Sequence, residues 1–297
     1  MCRRTPSRRC RGAVLDYEGM ATRHVQDSAI ALVGIDVDGT LVGSSGEIPE
    51  HVWEAAARAR RAGVHLALCS GRPAFGIARD YAQRLETGGW HIFQNGASVV
   101  HLATGETRSA RLPQEQVQML IQRARASDEV LELYGDSSYV AESTHSWAFE
   151  HAKLLGVPFE PRRFETLQEP VVRAQWLLSV QRAAEFKALP HPGLELAQSS
   201  SPLMPQTQFV GLTRAGVSKG VALQSVARQY AIPLAAVMYV GDSGNDLSAL
   251  QIVGWPIAMG NADAAVRAVA RYTVGDVDEG GVAHALEMAV KCRQANP

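Results

Sequence analysis

The stretch ALVGIDVDGTLVG, residues 31–43, decides how this chain is read. Apolar residues run to Ile35 and stop at Asp36 and Asp38, with Gly39 and Thr40 directly behind. An uninterrupted apolar run suits a parallel strand covered on both faces. Two acids at the end of a buried strand repel each other and lose solvation, so a compensating partner is expected nearby. Alone, the pair leaves two readings open: an Asx-type turn leaving the strand, or the floor of a site.

Working outward, PEHVWEAAARARRAG (49–63) reads as a helix with Pro49 near its start and Gly63 past its end. VHLALCSGR (64–72) is a second apolar strand, PAFGIARDYAQRLE (73–86) a second helix opened by proline, and HIFQNG (91–96) a third strand. Residues 29–96 therefore alternate β-α-β-α-β, the grammar of a doubly wound α/β sheet. From residue 97 the style changes to hairpins and helices: SVVHLATGETRSARL, VLELYGDSSYVAE, two amphipathic helices, and a strand over VVRAQWLLSV. The alternation resumes with SKGVALQSVARQYA (218–231) and AAVMYVGDSGND (235–246). The pattern predicts a core split into 29–96 and 212–297, with an α+β module inserted over 97–211 and hinges near 96–98 and 209–214.

Of the 297 residues, 46% are hydrophobic and 20% charged, and the net charge is −1, so nothing points to nucleic acid or a membrane surface as partner. No apolar run reaches the ~18 residues needed to span a bilayer. The cysteines at 2, 10, 69 and 292 form no metal or disulfide pattern, which makes a reducing, cytoplasmic setting the default. Residues 1–28, with Arg3, Arg4, Arg8, Arg9 and Arg11 and no apolar segment behind them, are expected to be a disordered basic leader, with Met20 an alternative start.

Open parallel sheets bind ligands at the carboxyl ends of their strands. Four clusters fall there: Asp36 to Thr40, Ser70-Gly71-Arg72, Ser218-Lys219-Gly220, and Gly241-Asp242-Ser243-Gly244-Asn245-Asp246. Each has a bland reading. Ser70 and Asp242 could be helix caps, and Lys219 a solvated charge on a first helical turn, although that end is unfavourable for a cation. Accidental caps account for one such cluster more easily than for all four at once.

The series DVDGTL, SGR, SKG, GDSGND resembles the haloacid dehalogenase superfamily of phosphotransferases, and IFQNGASVV, VSKGVAL, MGNA and DEGGVAHAL resemble its Cof-type hydrolases over roughly 29–290. The resemblance implies a Rossmann-like core carrying a large α/β cap. It implies Asp36 as nucleophile and Asp38 as general acid and then base. Mg²⁺ would be held by the Asp36 and Asp242 carboxylates and the Asp38 backbone carbonyl. Ser70, Gly71 and Lys219 would bind phosphate, with Thr40, Arg72, Asn245 and Asp246 in support. Burial and like charge are expected to favour a protonated Asp38, while the metal keeps Asp36 ionised.

The implied reaction is hydrolysis of a small phosphorylated metabolite such as a sugar phosphate. The alternatives are a phosphomutase, which needs a second phosphate site among Arg108, Arg111, Arg123, Arg125, Arg162, Arg163 and Arg173, and a non-catalytic phosphate-binding module. Substrate choice would fall to the cap, where Tyr134, Asp136, Tyr139, Trp147, His151 and Trp176 are candidates, but a structural role is the stronger reading for each and none is assigned.

Overall fold

The computed structural model describes residues 29–201 and 203–295, so the leader expected over 1–28 lies outside the described residues. The chain opens with β1 (Leu32–Ile35), α1 (Glu50–Arg61), β2 (His65–Leu68), α2 (Ile77–Glu86), β3 (Trp90–Phe93) and β4 (Ser98–His101). The inserted module holds α3 (Gln114–Arg125), β5 (Val130–Tyr134), β6 (Tyr139–Val140), α4 (Ser146–Leu155), β7 (Arg173–Ser179), α5 (Val180–Lys187), β8 (Leu194–Ser201) and β9 (Met204–Arg214). The core is completed by α6 (Lys219–Gln229), β10 (Val237–Gly241), α7 (Leu247–Leu250), β11 (Trp255–Ala258), α8 (Ala264–Val269), β12 (Tyr272–Thr273) and α9 (Gly281–Ala295).

The core sheet runs β12-β11-β10-β1-β2, all parallel, with Ile35 opposite Val240 on one side and Leu68 on the other. Every residue of β1 and β10 is buried, as a sheet covered by helices on both faces demands. The split α/β core with an inserted cap is thus the observed architecture. Because β1 lies between β10 and β2, the residue after β1 is flanked by the loops after both neighbours.

Three details differ from expectation. Pro73 does not open α2: the helix starts at Ile77 behind Gly76, whose φ of 61 suits glycine, and this leaves Phe75 in a loop facing the cap. β3 meets β2 through one parallel bridge, Cys69 to Ile92, and then pairs antiparallel with β4. Both domain crossings also move. Val99, Val100 and Leu102 pack in the core cluster while Leu112 packs in the cap, so the chain crosses between them. Residues 209–214 lie within β9, paired to β7 and β8, and the return crossing follows at the turn containing Gly216.

The cap sheet, β6-β5-β7-β9-β8, is antiparallel. Alternation divides its residues cleanly. Leu131, Leu133, Ala174, Trp176 and Leu178 pack against Val117, Leu120 and Ile121 of α3 and Ala183 and Phe186 of α5. The opposite face carries Glu132, Tyr134, Arg173 and Gln175, all buried.

One buried group links core stability to pH. His91 accepts from the Leu68 N–H at Nδ1 (3.0 Å) and donates from Nε2 to the Glu86 carbonyl (2.7 Å), which fits only the neutral ring. Burial pushes this imidazole down to about 4. A depressed folded pKa contributes stability that is complete above the ordinary histidine value and lost as pH falls toward the folded one. Between those two values the protein should lose about 3 kcal/mol through His91. Urea unfolding of His91→Gln against wild type across that window should show a flatter profile for the variant, and parallel profiles would refute the assignment.

Candidate active site

Asp36 follows β1 directly, and its backbone N–H donates to the Val240 carbonyl (3.1 Å), which fixes it between β1 and β10. It is buried, and its Oδ1 accepts from Lys219 Nζ at 2.5 Å. Lys219 begins α6 behind Ser218, whose hydroxyl accepts from the Val221 N–H. The helix dipole disfavours a cation at this end, and so does its 1% exposure. Two carboxylates compensate: Asp36, and Asp246 at 2.8 Å. Burial works against the ammonium, but Asp36 and Asp246 outweigh it and hold Lys219 above the ordinary lysine range.

Asp246 is also spent on the loop that carries it. Its Oδ1 accepts from Tyr239 Oη (2.7 Å), and its Oδ2 from the N–H groups of Asp242 (3.0 Å) and Ser243 (3.1 Å). Together with Ser243 it forms a capping box around the 3-10 turn over Gly244–Asp246. Asp242 is half-buried, and its Oδ1 accepts from Thr40 Oγ1 at 3.1 Å. Gly39, at φ +83, must be glycine, because a Cβ there would fall on the Asp242 carboxylate.

Oxygens of Asp36, Asp242 and Asp246 all lie within 4.8 Å of one another. Burial, then Asp246, pushes Asp36 well above the usual carboxylate range despite Lys219, with Asp242 adding to the rise. Burial and Asp246 push Asp242 up to about 6, against its hydrogen bonds with Thr40 and Asp36. Three carboxylates facing one ammonium leave an excess of negative charge. An all-oxygen donor set of this kind fits a hard divalent cation. Asp246 has every acceptor position engaged, so Asp36 and Asp242 are the residues with oxygen left to offer.

Ser70 follows β2, fully buried, with its N–H on the Ile92 carbonyl (2.8 Å) and its hydroxyl accepting from the Arg72 N–H (3.0 Å). Arg72 grips Asp38 through both carboxylate oxygens, Nε to Oδ2 at 3.0 Å and Nη2 to Oδ1 at 2.5 Å. The Asp38 side chain is 60% exposed. The burial and like-charge crowding expected at Asp38 therefore fall on Asp36 instead, because Val37 turns the chain and Asp38 points out toward Arg72.

Sequence reasoning missed several contributors. Gln94 and Asn95 both hold positive φ (53 and 55) ahead of Gly96, a costly backbone run beside the site. Asn95 lies against Gly71 and accepts from Asn245 Nδ2 at 3.2 Å. Asn261, in the MGNA segment, donates to the Gly39 carbonyl (2.7 Å) and accepts from the Val277 N–H (3.1 Å), tying the first loop to the last. From the cap, Arg173, named from the sequence only as one of seven arginines for a second phosphate site, donates from Nη1 to the Gly71 carbonyl at 2.9 Å.

The cap candidates separate. Glu132 accepts from Tyr134 Oη (2.5 Å) and Gln175 Nε2 (3.2 Å) and pairs with His151 Nδ1 (2.9 Å), a closed buried network. Asp136 holds Ser98 and Ser109, Trp176 fills the cap core, and Trp147 packs at the edge of a small apolar cluster. Tyr134 and Tyr139 stack on Phe75 of the core at 6.2 and 5.8 Å between ring centroids.

A family profile of haloacid dehalogenase-like hydrolases matches residues 33–286. The chain belongs to this family. Phosphatase YwpJ of Bacillus subtilis is 27% identical over 290 residues, covering 86% of this chain and 98% of its own. Pyridoxal phosphate phosphatase YbhA of Escherichia coli is 26% identical over 268 residues, covering 82% and 93%. A haloacid dehalogenase-like hydrolase of Bacteroides thetaiotaomicron superposes with a TM-score of 0.77 at 28% identity, covering 87% and 99%. The chain is an enzyme, a hydrolase of a family whose matched members are named phosphatases. No helix among the described residues is long and apolar enough to cross a membrane.

Proposed function

We propose that this hydrolase is a Mg²⁺-dependent phosphatase that cleaves a small phosphorylated metabolite through an aspartyl-phosphate on Asp36. The observation that carries the reading is Asp36 itself: a buried carboxylate at the end of the central strand, fixed by Lys219 at 2.5 Å and beside Asp242. Asp36 and Asp242 would hold the ion, with the Asp38 carbonyl assigned by resemblance and Asp246 as support. When bound, Mg²⁺ supplies charge that offsets the facing carboxylates and the phosphoryl oxygens.

In the first step an Asp36 oxygen attacks phosphorus, and the bond to the leaving oxygen breaks. Asp38 gives that oxygen a proton. In the second step Asp38 takes a proton from water, which attacks phosphorus, freeing phosphate and restoring Asp36. Both Asp38 oxygens are held by Arg72, so proton transfer requires that pair to open. Lys219, Ser70 and the Gly71 N–H would receive the phosphoryl oxygens. The cap would act as the lid that excludes water and selects the leaving group.

The named relatives include phosphatases for pyridoxal phosphate and for 5-amino-6-(5-phospho-D-ribitylamino)uracil, which supports a compact organic phosphate as substrate here, a sugar phosphate among them. Among the described residues, Arg173 is the one of the seven arginines whose side chain hydrogen-bonds to the core. Arg125 is taken by Glu142 and Glu165, and Arg123 by Glu129. Arg125, Arg162 and Arg163 line one cap pocket, but Glu142 lines it with them and pairs with Arg125, which favours hydrolysis over a mutase reaction.

The test is release of inorganic phosphate from p-nitrophenyl phosphate with Mg²⁺ and its loss with EDTA. No release with Mg²⁺ would overturn the proposal. Protons and the ion compete for Asp242, whose raised folded pKa stabilises the metal-free protein at low pH and ceases to as pH rises through about 6. The Mg²⁺-induced rise in melting temperature should therefore be larger near about pH 7.5 than near about pH 5. Equal shifts would refute ligation by Asp242.

A further inference from the structure

We infer that Arg173 reads a second anionic group on the substrate, so that the preferred substrates are phosphate monoesters whose leaving group itself carries a carboxylate or a further phosphate. The inference rests on the phosphatase reading above and narrows its substrate class.

Arg173 is the first residue of β7, on the cap face that meets the core. It is 7% exposed, and among the described residues no carboxylate lies within ion-pair distance of it. A buried guanidinium normally has such a partner, because its desolvation is otherwise uncompensated. The nearest buried acid on its face, Glu132, is already committed to Tyr134, Gln175 and His151. Arg173 spends one donor, Nη1, on the Gly71 carbonyl at 2.9 Å. Its Nε is buried with no acceptor at all. The guanidinium carbon lies over the Tyr134 ring, 4.2 Å from its centroid, a cation–π contact that satisfies no N–H.

The position defines what the free donors can meet. Gly71 follows Ser70 at the end of β2, next to the strand that carries Asp36. Arg72, the residue after it, grips Asp38. A phosphoryl group on Asp36 thus has its leaving group between Asp38 and the cap, and Arg173 lies at that seam. A neutral leaving group would close the lid over an uncompensated cation. An anionic one supplies the missing partner through charge-assisted hydrogen bonds, the stronger kind.

The experiment compares matched pairs: phosphoglycerate against glycerol phosphate for a carboxylate, and fructose bisphosphate against fructose monophosphate for a second phosphate, with p-nitrophenyl phosphate as common reference. Wild type should favour at least one anionic member by about tenfold or more in kcat/KM, carried mainly by KM. Arg173→Gln should erase that preference, costing the anionic substrate at least about tenfold more than it costs p-nitrophenyl phosphate. Arg173→Lys, which keeps the charge but not the fork, should retain part of it and serves if the Gln variant fails to melt cooperatively. A wild type without the preference, a Gln variant that keeps it, or equal losses on every substrate, as a purely structural strut would give, each overturns the inference. Failure of wild type to hydrolyse even p-nitrophenyl phosphate with Mg²⁺ would instead sink the phosphatase reading, and this one with it.

Discussion

Asp36→Asn is expected to lower kcat for p-nitrophenyl phosphate by ~10⁴-fold or more, the scale on which removal of a nucleophile acts in other hydrolases. The substitution is nearly isosteric, so it isolates chemistry from packing. An amide oxygen is a poor nucleophile toward phosphorus, and the variant cannot form the acyl phosphate. The fold should survive. Asp36 is crowded by Asp246 and Asp242, and burial already disfavours its charge, so neutralising it relieves repulsion while leaving Lys219 paired with Asp246 at 2.8 Å. Melting temperature in EDTA should shift by a few degrees at most. The Mg²⁺-induced stabilisation should shrink, because one of two available ligand carboxylates is gone. A variant with near-wild-type turnover would remove Asp36 from the mechanism, and one that unfolds would show the carboxylate to be structural.

Much of this site was legible because its residues sit where strand ends must converge. Asp36, Ser70, Lys219 and Asp242 were each ambiguous alone, and the parallel alternation placed them at one edge of one sheet. The split core followed from the same alternation. What was not legible depends on direction and packing. Asp38 is one residue from Asp36, yet the turn through Val37 sends it outward to Arg72 while Asp36 stays buried, and spacing does not encode that divergence. Pro73 looked like a helix opener because proline is favoured there, but Gly76 starts the helix and Phe75 is released toward the cap. The strained pair Gln94 and Asn95 carried only a weak signal, an Asn-Gly step that reads as an ordinary turn. Arg173 was one arginine among seven, and only the antiparallel register of β7 distinguishes it: Arg173, Gln175 and Leu177 share one face, whereas Ala174 and Trp176 face the cap core.

The second large effect is expected at Lys219. Lys219→Met keeps most of the side-chain volume and removes the one ammonium that faces three carboxylates. Breaking a buried ion pair by deleting one partner typically costs ~3–5 kcal/mol, so urea unfolding in EDTA should show a loss of that order. The loss has a sign in pH. Lys219 is what lowers the Asp36 carboxyl against burial and Asp246, so without it charging Asp36 becomes harder, and the deficit should grow as pH rises and ease as the carboxylates are protonated. Turnover should also fall, by about 10²–10³-fold, because a preorganised cation aimed at the transferring oxygens is lost. Adding Asp246→Asn removes the carboxylate left stranded by the first change. The double variant should regain a large part of the stability and none of the turnover, since removing the Asp246 charge relieves the repulsion on Asp36 but does not replace the lost ammonium. That split between recovered stability and unrecovered catalysis distinguishes an electrostatic role for Lys219 from simple core filling. If Lys219→Met were as stable as wild type, or the second substitution restored nothing, the ammonium would not be what makes three acids tolerable at the end of a buried strand.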